Sequence, residues 1–346
     1  MEYEESVNDD WEKFLSGDIE EEKDETETNN SVPKCGDIYI STKTKIAYLN
    51  NLIDINNVFW KIPILPYHQA KNGVIKKQIK QTFTNEEEIK QMETRLKSEK
   101  YYTQHIITQI KNPSGRIKFK DVRKLTVGLS KKDILTHRSK KKGAFYNCFV
   151  MILRLKVNDS DFEKFKEIHV KVFNTGKLEI PGLQNDINLD EIMCMIIRTL
   201  QPYVKEKLSY EKDKIETVLI NSNFCCNYYI EREKFYNILK FDYNIHTIYD
   251  PCSYPGIQCK YYLDNEDSDD KTKKKNHISF MIFRTGSILI VGKCVEEELY
   301  KVYEYLKDIL NKEYHKINVK KEIEVKDKNT VAKKKKNKKL ITITCN

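Results

Sequence analysis

Apolar and polar residues alternate with a period of two in several stretches of this chain, which is the pattern of β-strands. The clearest stretch is FMIFRTGSILIVG at 280–292, which predicts two strands joined by a Thr-Gly turn. Its last ten residues, FRTGSILIVG, resemble FNTGKLEIPG at 173–182, with Phe, Thr, Gly, Ile and Gly at the same offsets. Such self-similarity predicts two copies of one structural unit.

The segments around the two decapeptides also correspond. A β-rich run precedes each Thr-Gly turn, CFVMILRLKV at 148–157 and IQCKYYL at 257–263. A helix is predicted after each, NLDEIMCMIIRTLQPYV behind a capping Asp186 or Asn188, and VEEELYKVYEYLKDIL with an apolar stripe from Val295 to Ile309. The front segments, 34–64 and 214–241, both predict a strand and a short helix. Two such α+β halves can join through their edge strands into one sheet.

Both faces of the second Thr-Gly hairpin are apolar. One face carries Met281, Phe283, Ser287, Leu289 and Val291. The other carries Ile282, Ile288 and Ile290. If helices cover only the isoleucine face, the opposite face leaves apolar surface in water at about 25 cal/mol per Å². Two explanations are open: a partner covers that face, or a second layer of the same chain does, formed by 66–142.

Charge divides the chain into tails and a folded middle. Residues 1–29 carry 13 acidic and 2 basic side chains, and 320–346 carry 10 lysines against 3 acids. The composition predicts an acidic disordered tail over 1–36 and a basic tail over 318–346, which binds nucleic acid, directs localisation or is merely solvated. The first unit is expected at 37–205, with an insertion at about 66–142, and the second at 206–317. The insertion is predicted to hold a capped helix from Thr84 and a basic strand, GRIKFKDVRKL.

The composition argues against an enzyme. The seven histidines are isolated, and the chain has no H-E-x-x-H, C-x-x-C or phosphate-binding glycine loop. The nine cysteines are odd in number and scattered, as expected for reduced thiols. No apolar run reaches the roughly 18 residues of a membrane span. We therefore expect no catalysis, no metal, no cofactor and no membrane contact, and an intracellular location.

With these elements in order, the chain resembles the TATA-box-binding protein family. The likeness is closest in YDPCSYPGIQCKYYL at 249–263 and FMIFRTGSILIVGKCVEEELYKVYEYLKDIL at 280–310, and it extends to 38–60 and 143–204. The resemblance implies an α+β saddle in which two pseudo-symmetric repeats form one curved antiparallel sheet with helices on the convex face. It also implies that the concave face binds the minor groove of double-stranded DNA and bends it with aromatic wedges.

The resemblance assigns candidate DNA-binding residues. Phe173 and Phe283 match the wedge before each Thr-Gly turn, and Tyr254 matches the second wedge of the second repeat. The other matched positions are apolar groove-lining residues or basic residues near phosphates: Met281, Leu289, Val291, Lys177, Lys260 and Arg154. For the remaining wedge, Phe145 and Phe149 are both candidates, although the register that fits Arg154 places Cys148 there.

Some positions depart from the family pattern. Glu179 and Pro181 are expected to face the groove in the first repeat, where a carboxylate is repelled by phosphates. An ungapped alignment puts Ser41 and Leu219 where the family has paired asparagines. The stirrup surface that the family offers to transcription factor IIB is represented by Asp250, Cys252 and Ser253.

The function that this resemblance implies is that of a transcription initiation factor, a monomer on A-T-rich promoter DNA that works with a transcription factor IIB-like protein and an RNA polymerase. Two alternatives are an architectural minor-groove protein without promoter selectivity, and a saddle-fold interaction module that has lost DNA binding. Abundant Lys, Asn, Ile and Tyr suggest a large DNA virus. The expected location is then a viral factory in the host cytoplasm or the virion, or alternatively the nucleus.

Overall fold

The computed structural model describes residues 32–135, 145–157, 164–184, 189–262 and 277–319. The predicted tails, the cap at 186–188 and the loop at 263–276 therefore lie wholly or largely outside the described residues. The strands are β1 (Tyr39–Tyr48), β2 (Gly73–Phe83), β3 (Tyr102–Lys111), β4 (Phe119–Gly128), β5 (Cys148–Val157), β6 (Lys164–Phe173), β7 (Lys177–Leu183), β8 (Glu216–Cys225), β9 (His246–Ile248), β10 (Ile257–Tyr262), β11 (His277–Ile282) and β12 (Ser287–Gly292). The α-helices are α1 (Ile55–Lys61), α2 (Glu86–Lys97), α3 (Lys131–Leu135), α4 (Leu189–Leu200), α5 (Arg232–Asn237) and α6 (Glu296–Ile317).

The twelve strands of the described residues belong to one antiparallel sheet in the order β3-β4-β2-β5-β6-β7-β1-β8-β12-β11-β10-β9. The two halves meet where β1 pairs with β8, with Thr42 opposite Asn221 and Thr44 opposite Leu219. Outward from that seam, the second half runs β8-β12-β11-β10-β9, and the first half runs β1-β7-β6-β5-β2 in the equivalent order. This architecture confirms the predicted fold class of two repeated α+β halves in one sheet.

The apolar core lies on one face of the sheet, which we call the helix face. In the second half, Ile282, Ile288 and Ile290 are fully buried and pack with Leu299 and Leu306 of α6. In the first half, the equivalent strand residues pack with α1 and α4. The period-two alternation in β11 and β12 thus arises because every second side chain is removed from water by a helix.

Helix α6 differs from the sequence prediction at both ends. Val295 precedes the helix as its extended, exposed N-cap residue, so the apolar stripe begins at Leu299. Glu298 accepts a hydrogen bond from the backbone N–H of Val295 at 3.0 Å, which satisfies one donor at the helix start. The helix then continues to Ile317, where that side chain is again buried.

The segment predicted as an insertion extends the sheet sideways. Strand β2 takes the position that β9 has in the second half, and β4 and β3 continue the sheet beyond it. Helix α2 begins after its N-cap Asn85, whose side chain accepts from the Glu88 N–H at 2.8 Å, and it buries Met92 and Leu96 on the helix face. The described part of the segment therefore lies mainly beside the sheet and covers the opposite side only at one corner.

That opposite side, which we call the open face, is covered at one corner. The loop at 66–72 and helix α3 lie over the outer ends of β2, β5 and β6. Lys76 of β2 pairs with Asp133 of α3 at 2.5 Å, and Glu167 of β6 accepts from the Lys131 N–H at 2.8 Å. No helix in the described part of the chain is long and apolar enough to span a membrane.

Candidate nucleic-acid interface

The open face of the second half is apolar and partly accessible. Met281 of β11 lies opposite Leu289 of β12, and Ser279 lies opposite Val291. Met281 and Val291 are half-buried, and Leu289 is 9% exposed, whereas their strand neighbours point into the core. Among the described residues, no helix packs on Met281, Leu289 or Val291, so this surface keeps the apolar character that the alternation predicts.

An aromatic pair stands at the end of this face. The ring centroids of Tyr254 and Phe283 are 5.9 Å apart and meet edge to face. Gly256 lies against both rings, since a Cβ there would come within 3.1 Å of each. The Thr-Gly turn holds Phe283 in place, because its N–H donates to Ser287 O and its carbonyl accepts from Gly286, both at 3.0 Å. The loop that carries Tyr254 and Gly256 and the Thr-Gly turn that follows Phe283 thus hold the two aromatic rings in contact at the end of the open face.

In the first half, the structure separates the two wedge candidates. Phe149 is fully buried in the core and meets Phe59 of α1 edge to face at 6.4 Å. Its assignment to the DNA-binding surface is therefore corrected: β5 alternates, and Phe149 points to the helix face. Phe145 is 62% exposed, with Lys171 Nζ 4.5 Å from its ring centroid, and Phe173 is half-buried with Lys177 Nζ at 5.4 Å.

The strand register identifies a first-half equivalent of Tyr254 that was not among the predicted residues. Ile257 lies opposite Ile282, the residue before Phe283, and Tyr254 precedes Ile257 by three positions. In the first half, Phe149 lies opposite Val172, the residue before Phe173, and Tyr146 precedes Phe149 by three positions. Tyr146 is 57% exposed and is the register equivalent of Tyr254. The sequence contains this correspondence as YNCF at 146–149 and YPGI at 254–257, in which a tyrosine stands three residues before an apolar residue.

Arg154 does not lie on the accessible surface. It is 6% exposed, and its guanidinium donates to the backbone carbonyls of Tyr67, Gln69 and Lys71 in the covering loop. Burial lowers its pKa from the ordinary value. A guanidinium committed to three carbonyls anchors the loop, so the assignment of Arg154 to phosphate contact is corrected.

Lys260 and Lys177 do lie on the open face. Lys260 of β10 is half-buried, opposite Ser279 on one side and His246 on the other. Lys177 begins β7, directly after the first Thr-Gly turn. The two lysines therefore occupy the two halves of the same surface.

Glu179 is the carboxylate expected to disfavour DNA. It lies opposite Lys171 on the neighbouring strand, and Lys171 Nζ is 2.5 Å from Glu179 Oε1. Opposite charges paired across strands neutralise each other locally. The negative charge of Glu179 on the open face is thus neutralised by Lys171, which only the register between β6 and β7 brings next to it.

Amide and hydroxyl groups occupy the middle of the open face. Asn221 Nδ2 donates to Thr42 Oγ1 at 3.0 Å, and Ser41 Oγ donates to Asn221 O at 3.1 Å. Asn223 lies two residues further along β8, opposite Leu289. A register shift between Ile40 and Thr42 places Thr42, rather than Ser41, opposite Asn221. An ungapped alignment misses this because it cannot contain the bulge.

The three predicted partner-binding residues form an exposed turn in the stirrup. The Asp250 carboxylate accepts from the Cys252 N–H at 3.1 Å and from the Ser253 hydroxyl. The Ser253 hydrogen bond, the largest cause, holds the pKa of Asp250 below its ordinary value. The turn is therefore a preformed acidic surface feature, and its role in partner binding stays a prediction.

No family model matches the chain. Among curated proteins, it is 24% identical over 201 residues to "TATA-box-binding protein-like" of Acanthamoeba polyphaga mimivirus. That match covers 54% of this chain and 54% of the relative, so the chain spans about half of that protein's length. Among solved structures, Methanococcus jannaschii TBP aligns at 12% identity with a TM-score of 0.41, covering 80% of this chain and 99% of that one. The sequence similarity to a viral TATA-box-binding protein-like protein confirms the resemblance that the two Thr-Gly repeats predict.

Proposed function

We propose that this protein binds A-T-rich promoter DNA through the open face of its sheet, inserts aromatic side chains into the minor groove and bends the duplex. The observation that carries the proposal is the repeated aromatic end of the open face: Tyr254 with Phe283 in one half, and Tyr146 and Phe145 near the end of β6 at Phe173 in the other. The similarity to a viral TATA-box-binding protein-like protein supports it. The TATA-box-binding proteins are themselves the standard example of proteins that kink DNA by inserting side chains from the minor groove. We apply that mechanism to this chain because of the similarity.

The chemistry between the aromatic ends suits an A-T minor groove. An A-T pair presents only acceptors in that groove, the adenine N3 and the thymine O2, and lacks the guanine amino group. Asn221 and Asn223 offer amide donors at the centre of the face. Leu289 and Val291 present apolar side chains to the groove. A guanine amino group buried against them would lack a hydrogen-bond acceptor, which disfavours G-C pairs at that position.

The proposed role is transcription initiation, with a transcription factor IIB-like protein and an RNA polymerase as partners. The exposed turn formed by Asp250, Cys252 and Ser253 is the surface assigned to the first partner. This part of the proposal rests on the family resemblance. It is tested by whether Asp250→Lys abolishes assembly of such a factor on a preformed complex with DNA while leaving DNA bending intact.

A fluorescence bending assay tests the DNA-binding proposal. A duplex rich in T-A steps, labelled at both ends, is titrated with the wild-type protein and with the double variant Phe173→Ala, Phe283→Ala. The wild-type protein should bring the labels together, and the double variant should lose most of that change while keeping a folded circular dichroism spectrum. Phe241→Ala, at an aromatic that is 71% exposed and follows α5 on the helix side, is the matched control.

The outcomes separate the alternatives. If affinity is the same after the T-A steps are permuted, the protein bends DNA without promoter choice, as an architectural protein does. If the wild-type protein neither binds nor bends any duplex, the open face serves another partner and the proposal is wrong. Bending that the double variant retains would mean that the aromatic ends are not the wedges.

A further inference from the structure

The extended sheet ends in a long strand whose outer side is unpaired among the described residues. Strand β3 has ten residues and pairs only with β4, whereas β9 at the opposite end of the sheet has three. Every residue of β3 except Ile110 is exposed, so little of this strand is covered on either face. Its outer backbone N–H and C=O groups therefore form a template for pairing with another strand.

The outer side of β3 lacks most of the devices that keep sheet edges apart. Such edges are normally protected by charged residues, by proline or by a covering segment. The strand sequence YTQHIITQIK contains no proline, and its basic residues are His105 and the terminal Lys111, whose charge is paired with Glu86 at 2.7 Å. Ile106 is 54% exposed and Ile107 is 43% exposed in the middle of the strand. An exposed apolar edge of this kind is a site for strand pairing.

A β-bulge in the middle of β3 changes which residues lie on each face of the sheet. The pairing with β4 shifts by one position at Ile107, which is the extra residue. Gln104 accepts from Arg123 at 3.0 Å, and Gln109 donates to Asp121 at 3.0 Å. Arg123 and Asp121 are bonded to each other, so the two glutamines lie on the same face. Counted through the bulge, the helix-face residues are Tyr102, Gln104, Ile106, Gln109 and Lys111, and the open-face residues are Thr103, His105, Thr108 and Ile110.

The bulge makes β3 complementary to a second, antiparallel copy of itself. A twofold axis perpendicular to the sheet, placed between Ile106 and Ile107, brings these residues of the two copies opposite each other: Tyr102 and Lys111, Thr103 and Ile110, Gln104 and Gln109, and His105 and Thr108. Each pair joins residues of one face and of one hydrogen-bonding class, because the two classes alternate along the ladder with β4. In a strand without a bulge, an axis between two neighbouring residues would pair helix-face with open-face side chains.

The side chains that meet across this axis are compatible with each other. Lys111 lies opposite Tyr102, and His105 lies opposite Thr108, so no like charges of the strand face each other. The two central isoleucines of each copy come together at the axis, which removes four partly exposed apolar side chains from water. Both the backbone and the side chains of β3 thus fit a second copy of the same strand.

We propose that two copies of this chain pair through β3 and form a twofold homodimer, in which one sheet continues into the other and both open faces lie on the same side. The interface is one strand pair with its isoleucine cluster, at the small end of interface sizes, so the dimer depends on protein concentration. It closes at two copies, since only the three-residue β9 remains at each end. Because β3 belongs to the inserted segment, the inference goes beyond the family resemblance and does not rest on DNA binding. An extended segment of a different protein is the competing occupant.

Sedimentation velocity of the full chain, without DNA, measures this association. Wild-type protein should pass from monomer to dimer as its concentration rises through the micromolar to sub-millimolar range. Ile106→Lys should raise the dissociation constant at least about tenfold, because it places two like charges beside the axis. Ile248→Lys, at an isoleucine of β9 that is 55% exposed, adds the same charge at the other edge of the sheet and should leave the dissociation constant unchanged. Circular dichroism checks that both variants are folded.

A second experiment tests the register of the two strands. Gln104→Glu and Gln109→Lys each introduce a charge that suits the existing contact on β4, with Arg123 for the first and Asp121 for the second. Within one copy the two positions are about 17 Å apart, too far to interact at physiological salt. Across the axis they lie opposite each other twice. The double variant should therefore dimerise about fivefold more tightly than the two single variants together predict, a gain that partial unfolding cannot produce.

Three results would overturn the inference. Wild-type protein that stays monomeric over the whole range would show that the β3 edge is left unpaired or is covered by another segment of the chain. A dimer that Ile106→Lys weakens no more than Ile248→Lys does would place the contact elsewhere. Strictly additive effects of the two glutamine substitutions would refute the register. DNA bending is measured separately, so failure of the proposed function leaves these outcomes unchanged.

Discussion

The two Thr-Gly turns depend on glycine for a reason that can be measured. Gly176 and Gly286 have φ values of +81° and +85°, a region that residues with a Cβ rarely adopt. A Cβ at Gly286 would lie 2.3 Å from the carbonyl oxygen of Tyr228, and one at Gly176 would lie 2.5 Å from that of Asn51. Gly182 has φ of +81° as well, but nothing lies within 4 Å of its Cβ position. It therefore provides an internal control with the same backbone conformation.

The expected free energies differ accordingly. Alanine in the left-handed region costs about 1–2 kcal/mol at any of these glycines. At Gly286 the carbonyl oxygen would also have to move by about 0.7 Å to reach the 3.0 Å that real Cβ atoms keep. That carbonyl belongs to Tyr228, whose hydroxyl donates to Leu310 O at 2.9 Å, so it resists displacement. Overpacking of this kind adds about 1–3 kcal/mol. Gly286→Ala should thus cost about 2–5 kcal/mol.

Urea unfolding followed by circular dichroism gives the comparison. Gly286→Ala and Gly176→Ala should each lower the free energy of unfolding by at least about 1 kcal/mol more than Gly182→Ala does. Gly286→Ala should also weaken DNA bending, because the Gly286 N–H holds the carbonyl of Phe283. Equal losses in all three variants would refute the reasoning, since they would show that the carbonyl contacts impose no constraint.

Three further predictions follow from burial. Phe280→Ala should lower the free energy of unfolding by about 3–5 kcal/mol, whereas Met281→Ala, next along β11 but on the open face, should cost much less and mainly weaken DNA binding in a titration. Burial raises the pKa of Tyr228, so the folded state keeps a proton that the unfolded chain releases above its ordinary pKa of 10.0. The buried, protonated Tyr228 contributes fully to the free energy of unfolding below that pH and progressively less above it. In the Tyr228→Phe variant, the free energy of unfolding should therefore decrease less steeply between pH 10 and about 12. Iodoacetamide at pH 8 should label the exposed Cys252 and spare Cys259, which is buried with a pKa raised to about 12. Mass spectrometry identifies the labelled cysteine, and labelling of Cys259 before Cys252 would contradict the prediction.

Much of the architecture follows from local sequence patterns. The hairpin of β11 and β12 alternates every second residue, and α6 places apolar residues every three or four, because each element must bury one face. The Thr-Gly turn recurs because a residue in the left-handed region is needed three positions after Phe173 and after Phe283. Such features depend on neighbours a few positions away. The sequence therefore predicted two repeated halves, their helices and the apolar open face beside Phe283.

Other features depend on residues that are distant in sequence. Arg154 was expected at a phosphate, but its guanidinium is bonded to backbone carbonyls 83 to 87 residues earlier in the chain. Tyr146 could be recognised as the equivalent of Tyr254 only from the pairing of β5 with β6. Lys171 and Glu179 neutralise each other because of the register between β6 and β7. None of these contacts follows from periodicity, since a register shift of one residue would reverse every face.

The sequence by itself determined that two similar halves exist and that both faces of the second Thr-Gly hairpin are apolar, but it left open whether another part of the chain covers the face opposite the isoleucines. Only the tertiary structure decided where the described part of the inserted segment lies, mainly at the edge of the sheet and over one corner of its open face. The physical reason is that alternation reports burial along a single strand, whereas strand order and register are fixed by hydrogen bonds between segments far apart in the chain.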